Sequence, residues 1–154
     1  MNVEIRPISF EEIASLWHMA WPDTPSNVKP FNTCTYRFVR GYDEQIPYSP
    51  VYFYGAFNGD GLLVGGNSCY LSSPTHWMRT RGLFVVPEFR GRHIARSLIH
   101  HAIDYATATK ASFLWGYPRC STWPLWAKCG FVRNCVVTEI PLDYGPHVWA
   151  YYKL

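Results

Sequence analysis

Leu83, Phe84, Val85 and Val86 form an unbroken apolar run, which suits a strand buried on both faces. Pro87 stops it by removing a backbone donor. From Ile94 the period changes. Apolar Ile94, Ala95, Leu98, Ile99, Ala102, Ile103 and Ala106 recur at helical spacing, with Arg96, Ser97, His100, His101 and Asp104 between them. This predicts an amphipathic helix with a wide apolar stripe. Upstream, residues 3–8 alternate as a strand, and residues 10–19 read as a short helix with an acidic first turn and Ser9 as N-cap. Residues 51–57 and 62–71 read as strands around the hairpin turn Asn58, Gly59, Asp60, Gly61, and Gly65 and Gly66 predict a bulge or a close backbone approach. Residues 72–76 form a turn into the strand 77–86.

A short strand, residues 112–117, follows the amphipathic helix. A second helix runs from about Thr122 to Lys128, with Pro124 tolerated in its first turn and Gly130 ending it. Residues 131–140 and 148–153 are the last two strands. Between 21 and 50 the periodicity breaks at Pro22, Pro25, Pro30, Pro47 and Pro50, and residues 35–40 fit a helical turn or a short strand. Strands running in series beside strand–helix–strand units give an α/β chain of the α+β kind. The expected sheet is mixed and mostly antiparallel, with about seven strands and helices on both faces.

Composition narrows the class. With 154 residues, 48% hydrophobic and 16% charged, the chain is expected to fold as one domain over residues 1–154. No run of about 18 apolar residues and no basic-then-apolar leader is present, so the expectation is a soluble, cytoplasmic chain without a membrane partner. Five cysteines (Cys34, Cys69, Cys120, Cys129, Cys135) without a C-x-x-C pair predict free thiols and no metal site. Aromatics at 18% point to an aromatic core or cleft, and the aromatic last strand suggests a homodimer.

Residues 83–96 carry the chemistry. A strand turning tightly into a helix presents unpaired N–H groups and the positive end of the helix dipole. An anion such as a phosphate binds there readily. Arg90, Arg92 and Arg96 crowd that same end, where cations repel the dipole, so an anion is expected to neutralise them.

These residues resemble the coenzyme motif of the GNAT superfamily of acyl-CoA-dependent N-acyltransferases, Leu-x-Val-x-Pro, two residues, then Arg/Gln-x-x-Gly-x-Gly/Ala. Leu83, Val85, Pro87, Arg90 and Ala95 fall on their places, and His93 replaces the central glycine. Residues 125–131, Leu125, Trp126, Ala127, Lys128, Cys129, Gly130 and Phe131, are similar to the family's second motif, Phe/Leu-Tyr-x-Lys-x-Gly-Phe, with Trp126 where the family has Tyr. The order of elements is also the family's. The resemblance implies acetyl-CoA as co-substrate and an N-acetyltransferase acting on a primary amine of a small molecule or protein. It implies an acyl-pantetheine arm hydrogen-bonded to the backbone of Phe84, Val85 and Val86, a pyrophosphate on the amides of Gly91, Arg92, His93, Ile94, Ala95 and Arg96, and Leu83 and Arg90 as further coenzyme-binding residues.

Acetyl transfer to an amine needs alignment, a neutral amine and a leaving thiolate. An alkylamine with a pKa near 10 is only about one part in a thousand neutral at pH 7, so a base adds roughly 10²–10⁴ in rate. Residues 71–86 contain no carboxylate, and an indole at Trp126 cannot serve as the family's acid. The candidates are His76, the nearest titratable group, and Tyr117, at the end of its strand. Asp43 and Glu44 suit a cationic acceptor, whereas Arg79 and Arg81 suit one bearing a carboxylate or phosphate. A CoA-binding or sensing domain without catalysis is the alternative, favoured by Trp126 and His93. Reading Arg79, Arg81, Arg90, Arg92 and Arg96 as a nucleic-acid patch conflicts with a net charge of only +3 and the lack of a recognition motif.

Overall fold

The computed structural model describes residues 2–22, 50–139 and 146–154. Asp23, Cys34, Asp43, Glu44 and residues 35–40 lie outside them. Alternation in the sequence becomes seven strands: β1 (Glu4–Pro7), β2 (Tyr52–Phe57), β3 (Leu63–Leu71), β4 (Trp77–Val85), β5 (Phe113–Gly116), β6 (Val132–Glu139) and β7 (Pro146–Lys153). The helices are α1 (Phe10–Ala20), α2 (Ile94–Ala108) and α3 (Trp123–Lys128). The strands form one sheet in the order β1-β2-β3-β4-β5-β7-β6, antiparallel throughout except between β4 and β5. That exception follows from connectivity, because α2 carries the chain from the end of β4 back to the start of β5.

Local signals in the sequence account for the element ends. Ser9 caps α1 in a reciprocal capping box: its Oγ accepts from the Glu12 N–H at 3.1 Å and Glu12 Oε1 accepts from the Ser9 N–H at 3.0 Å. Asn58 Oδ1 accepts from the Asp60 and Leu62 amides in the β2–β3 turn.

The two long helices cover opposite faces. Ile13 and Trp17 of α1 pack with Tyr70 of β3, a cluster that Phe53 borders. On the other face Leu98, Ile99, Ala102 and Ala106 of α2 join Tyr54, Val64, Cys69, Met78 and Leu114 in the main core. Leu98 and Ile99 are wholly buried, and burying such side chains is worth roughly 1.5–3 kcal/mol each. Gly65 and Gly66 permit this sandwich. A Cβ on Gly65 would lie 3.2 Å from Leu98, and one on Gly66 would lie 3.0 Å from Leu16 of α1.

The bulge or close approach expected at these glycines is present on β3, which spends one residue more than β2 between Gly65 and Leu63, and a second bulge lies on the neighbouring strand β4. Gly66 pairs with Phe84 and Ser68 with Arg81, so β4 spends one residue more than β3 across that step. Gly82, at φ +85°, makes the turn. Its consequence is a change of phase. Thr80 faces Asn67 and Tyr54 on the α2 side, and after the bulge Leu83 and Val85, not Gly82 and Phe84, return to that side.

Candidate active site

The cleft opens where β4 and β5 part. Their pairing runs Trp77 to Phe113, Met78 to Leu114 and Arg79 to Trp115, and stops there. Gly116 still sits close to β4, since a Cβ on it would lie 3.1 Å from the Thr80 carbonyl oxygen. β4 then continues from Thr80 to Val85 without β5, and a cleft of about 490 Å³ occupies the gap. Its walls come from β4, the turn after β5, α3, the end of α1 and His147 of β7.

One end of the cleft is made by the turn into α2. Pro87–Phe89 form a single 3-10 turn. Gly91 at φ +77° and His93 at φ +63° then take left-handed conformations, which swing the chain into the helix. No side chain caps α2, so its first amides keep their positive potential toward solvent. Gly91, Arg92, His93 and Arg96 are exposed around this end, while Ile94 is buried and anchors it. A Cβ at Gly91 would meet nothing within 4 Å, so the space above the turn is open. His93, standing in the family's glycine place, fits by adopting the αL backbone and pointing outward.

Arg90 has a structural duty as well. Its Nε donates to the Val85 carbonyl at 2.9 Å and its guanidinium lies over Phe84, 5.4 Å from the ring centroid. The Val86 N–H donates to the Val64 carbonyl at 2.9 Å. The Val86 carbonyl accepts from the Phe89 N–H at 2.9 Å, so the Val85 carbonyl and both backbone groups of Val86 are engaged within the chain. Leu83, Phe84, Val85, Arg90 and Ala95 line the cleft.

The other end is built from side chains brought together from separate strands. Arg79 is 7% exposed, with its guanidinium 4.9 Å from the Trp115 ring and 5.7 Å from that of Tyr117. Arg81, Tyr117, Arg119 and buried His147 complete this wall. Asn67 lies at its base, wholly buried, with Nδ2 donating to Tyr54 Oη at 2.8 Å and to Thr80 Oγ1 at 2.7 Å. Tyr54 in turn donates its proton to the Leu98 carbonyl at 2.9 Å, which fixes the orientation of the amide. Asn67 Oδ1 has no partner among the described residues. No carboxylate of the described residues lines the cleft.

The predicted site residues divide accordingly. Tyr117, Arg79 and Arg81 come together in one wall, whereas His76 is exposed in the β3–β4 turn and does not line the cleft. His76 instead holds the turn, its carbonyl accepting from the Ser112 N–H at 2.9 Å. Trp126 lines the cleft but is buried and packed edge-on against Phe131, with centroids 4.9 Å apart. Asn67 and His147 were not singled out from sequence. Asn67 had a signal, being an amide in the middle of an otherwise apolar, glycine and serine strand; His147 had none.

None of the described cysteines (Cys69, Cys120, Cys129) lines the cleft. Burial pushes the Cys129 thiol above its usual range, against a smaller opposing pull from Arg96.

A split mixed sheet, with a bulged strand beside the gap and an uncapped helix at its mouth, defines the architecture of the cleft. The chain belongs to the Acetyltransferase (GNAT) family, whose model matches residues 11–131. Its members are acyltransferases. Solved structures share the fold over nearly the whole chain. An IAA acetyltransferase from Bacillus cereus ATCC 14579 is 20% identical, with 99% of this chain and 100% of that one covered at a TM-score of 0.70. The spermidine/spermine N-acetyltransferase SpeG from Vibrio cholerae is 16% identical, with coverage of 99% and 92% and a TM-score of 0.71. An acetyltransferase of the GNAT family from Staphylococcus aureus Mu50 is 14% identical, with 99% of each chain covered and a TM-score of 0.68. No curated protein matches the sequence.

Proposed function

We propose that this chain transfers an acetyl group from acetyl-CoA to a primary amine, directly, within a ternary complex. The observation that carries the proposal is the continuity of the cleft, from the uncapped start of α2 along Leu83, Phe84 and Val85 to the side chains around Tyr117. The coenzyme's phosphates fit the helix start, where Arg92 and Arg96 add charge. Its pantetheine arm fits the edge of β4 that β5 leaves uncovered.

The reaction breaks the thioester C–S bond, forms a C–N bond and leaves a thiol. Amine and acyl carbon need only be held together, which can supply several kcal/mol. With no cysteine on the cleft, the acyl group has no thiol acceptor among the described residues. Tyr117 stands at the transfer end, but a thiol with a pKa near 8.5 leaves without much help. Water can take the amine's proton, and His147 lines the same wall.

The acceptor belongs to the wall of Arg79, Arg81 and Arg119, which suits an amine carrying a carboxylate or phosphate better than a bare polyamine. Isothermal titration with acetyl-CoA, followed by thiol release with a panel of amines, tests both levels. Micromolar binding and thiol release with an amino acid or amino phosphate are expected. No binding at millimolar coenzyme overturns the proposal. Binding with no thiol release above hydrolysis would establish instead a CoA-binding domain, the reading that Trp126 in the family's tyrosine place favours.

A further inference from the structure

We infer that Trp17 is a positioning residue for the coenzyme slot, working with Ser68 to hold the β4 bulge in its open form. The inference rests on the proposed coenzyme site, since it concerns the strand that borders that site.

Trp17 is wholly buried on α1, yet its indole Nε1 donates to the Gly82 carbonyl at 2.7 Å. The bond spans 65 positions of sequence and reaches the one residue of β4 that has left the sheet's regular conformation. Gly82 cannot carry a side chain there. Its left-handed φ already disfavours one, and a Cβ would collide with the indole ring of Trp17. The bare face of the glycine is thus filled by the ring, whose edge also meets Phe53 at 6.1 Å between centroids.

A bulge takes a residue out of the ladder, and its carbonyl then needs another donor. Trp17 supplies that donor at Gly82, and Ser68 Oγ supplies one at the adjacent Arg81 carbonyl at 2.6 Å. Both donors belong to parts of the protein outside the cleft. Neither Trp17 nor Ser68 lines it. They act through the backbone, fixing the phase change that places Leu83 and Val85 on the α2 side and Phe84 against Trp21. If the Gly82 carbonyl were released, β4 could slip toward the regular register and close on the gap beside β5.

Trp17→Phe keeps an aromatic ring on this face of α1, removes the donor and leaves empty part of the space the indole fills over Gly82. Losing a buried hydrogen bond of this kind corresponds to an effect on the order of tenfold. The expected result is a tenfold rise in the dissociation constant for CoA by titration calorimetry and in KM for acetyl-CoA. KM for the acceptor and the pH profile of kcat should stay unchanged. Trp17→His, which restores an N–H on a ring, should recover part of the loss. Ser68→Ala is the milder second variant, should Trp17→Phe not fold, and is expected to raise the same constant about threefold. A merely structural role predicts a lower unfolding midpoint with CoA affinity intact in the folded variants, and that outcome overturns the inference. Absence of CoA binding by the unaltered protein overturns the proposed site as well, so the two failures are distinguishable.

Discussion

The two ends of the cleft are built on different principles. At the mouth of α2 the groups proposed to recognise the coenzyme are backbone amides in a single run of residues, with Ile94 buried beneath them and exposed arginines around them. At the transfer end they are side chains from β3, β4, β7 and the turn after β5, held by burial, ring contacts and hydrogen bonds. The first tolerates a change of side chain as long as the backbone keeps its path, as His93 shows by taking the αL conformation in place of a glycine. The second has no such tolerance, because every group depends on the packing of its neighbours. Anion binding is therefore expected to fail only when the helix is unseated or its charge reversed, and chemistry to fail by local changes.

The largest effect should come from unseating the helix. Leu98 is wholly buried; its side chain rests over Gly65, and its carbonyl accepts the Tyr54 hydroxyl that also anchors Asn67. Leu98→Ala is expected to cost about 2–5 kcal/mol of stability, because the cavity it leaves lies between packed strands and a helix that cannot both collapse into it. Denaturant unfolding measures this. A loss below about 1 kcal/mol would mean that the helix seat adapts, and that the two ends are less coupled than the Tyr54 bridge implies.

Reversing charge without disturbing the fold should come next. Arg92 and Arg96 are exposed. The double variant Arg92→Glu with Arg96→Glu is expected to weaken CoA binding by roughly tenfold or more at low ionic strength, and less at high salt. Its unfolding midpoint should barely move, since surface substitutions usually stay within about 0.5 kcal/mol. Unchanged CoA affinity would remove the phosphates from this end of the cleft.

A smaller effect is expected at the transfer end from Tyr117→Phe. If the hydroxyl only packs against Trp115, whose ring centroid is 5.7 Å away, kcat should fall less than about threefold. A hundredfold fall, with KM for acetyl-CoA unchanged, would assign Tyr117 the proton transfer to sulfur.

The same contrast explains what could be read from the residues. The run from Leu83 to Arg96 announced both the strand and the uncapped helix, because its determinants are local: an apolar run, a proline, and a switch of period. The seven-strand order followed from similar signals. Gly65 and Gly66 announced a bulge or a close approach, and both occur there, in the β2–β3 register shift beside Gly65 and in the contacts with Leu98 and Leu16, but the extra residue of β4 at Gly82 had no such reading. Glycine spacing cannot tell a tight contact from a turn. The transfer wall was only partly legible. Arg79, Arg81 and Tyr117 stood out as charged or terminal residues, but Asn67 and His147 enter the site through strand register, which no local pattern encodes. Trp17 looked like an ordinary core residue of an amphipathic helix, and its bond to Gly82 follows from the fold alone.

The smallest expected effect is one of pH, and it asks whether the outer part of α2 is independent of the cleft. His101 is half-buried against β2, with Nε2 2.9 Å from Tyr52 Oη and its ring tilted on Tyr54 at 4.6 Å. Burial holds its pKa below the ordinary 6.5, against a weaker upward pull from Asp104. In the unfolded chain the imidazole regains its ordinary value, so below 6.5 the unfolded state binds more protons than the folded one. Stability from this group is therefore complete above pH 6.5 and is lost as pH falls through 6.5 toward the lower folded value. The unfolding midpoint of the unaltered protein should drop between pH 7.5 and pH 5.5, and His101→Gln should flatten that slope while lowering stability at pH 7.5 through the lost contacts with Tyr52 and Tyr54. The same decline in both proteins would show that another group carries the acid sensitivity. A CoA affinity that falls in step with the His101 titration would join the outer helix to the cradle at its start, and the two ends of the cleft would then share one mobile support.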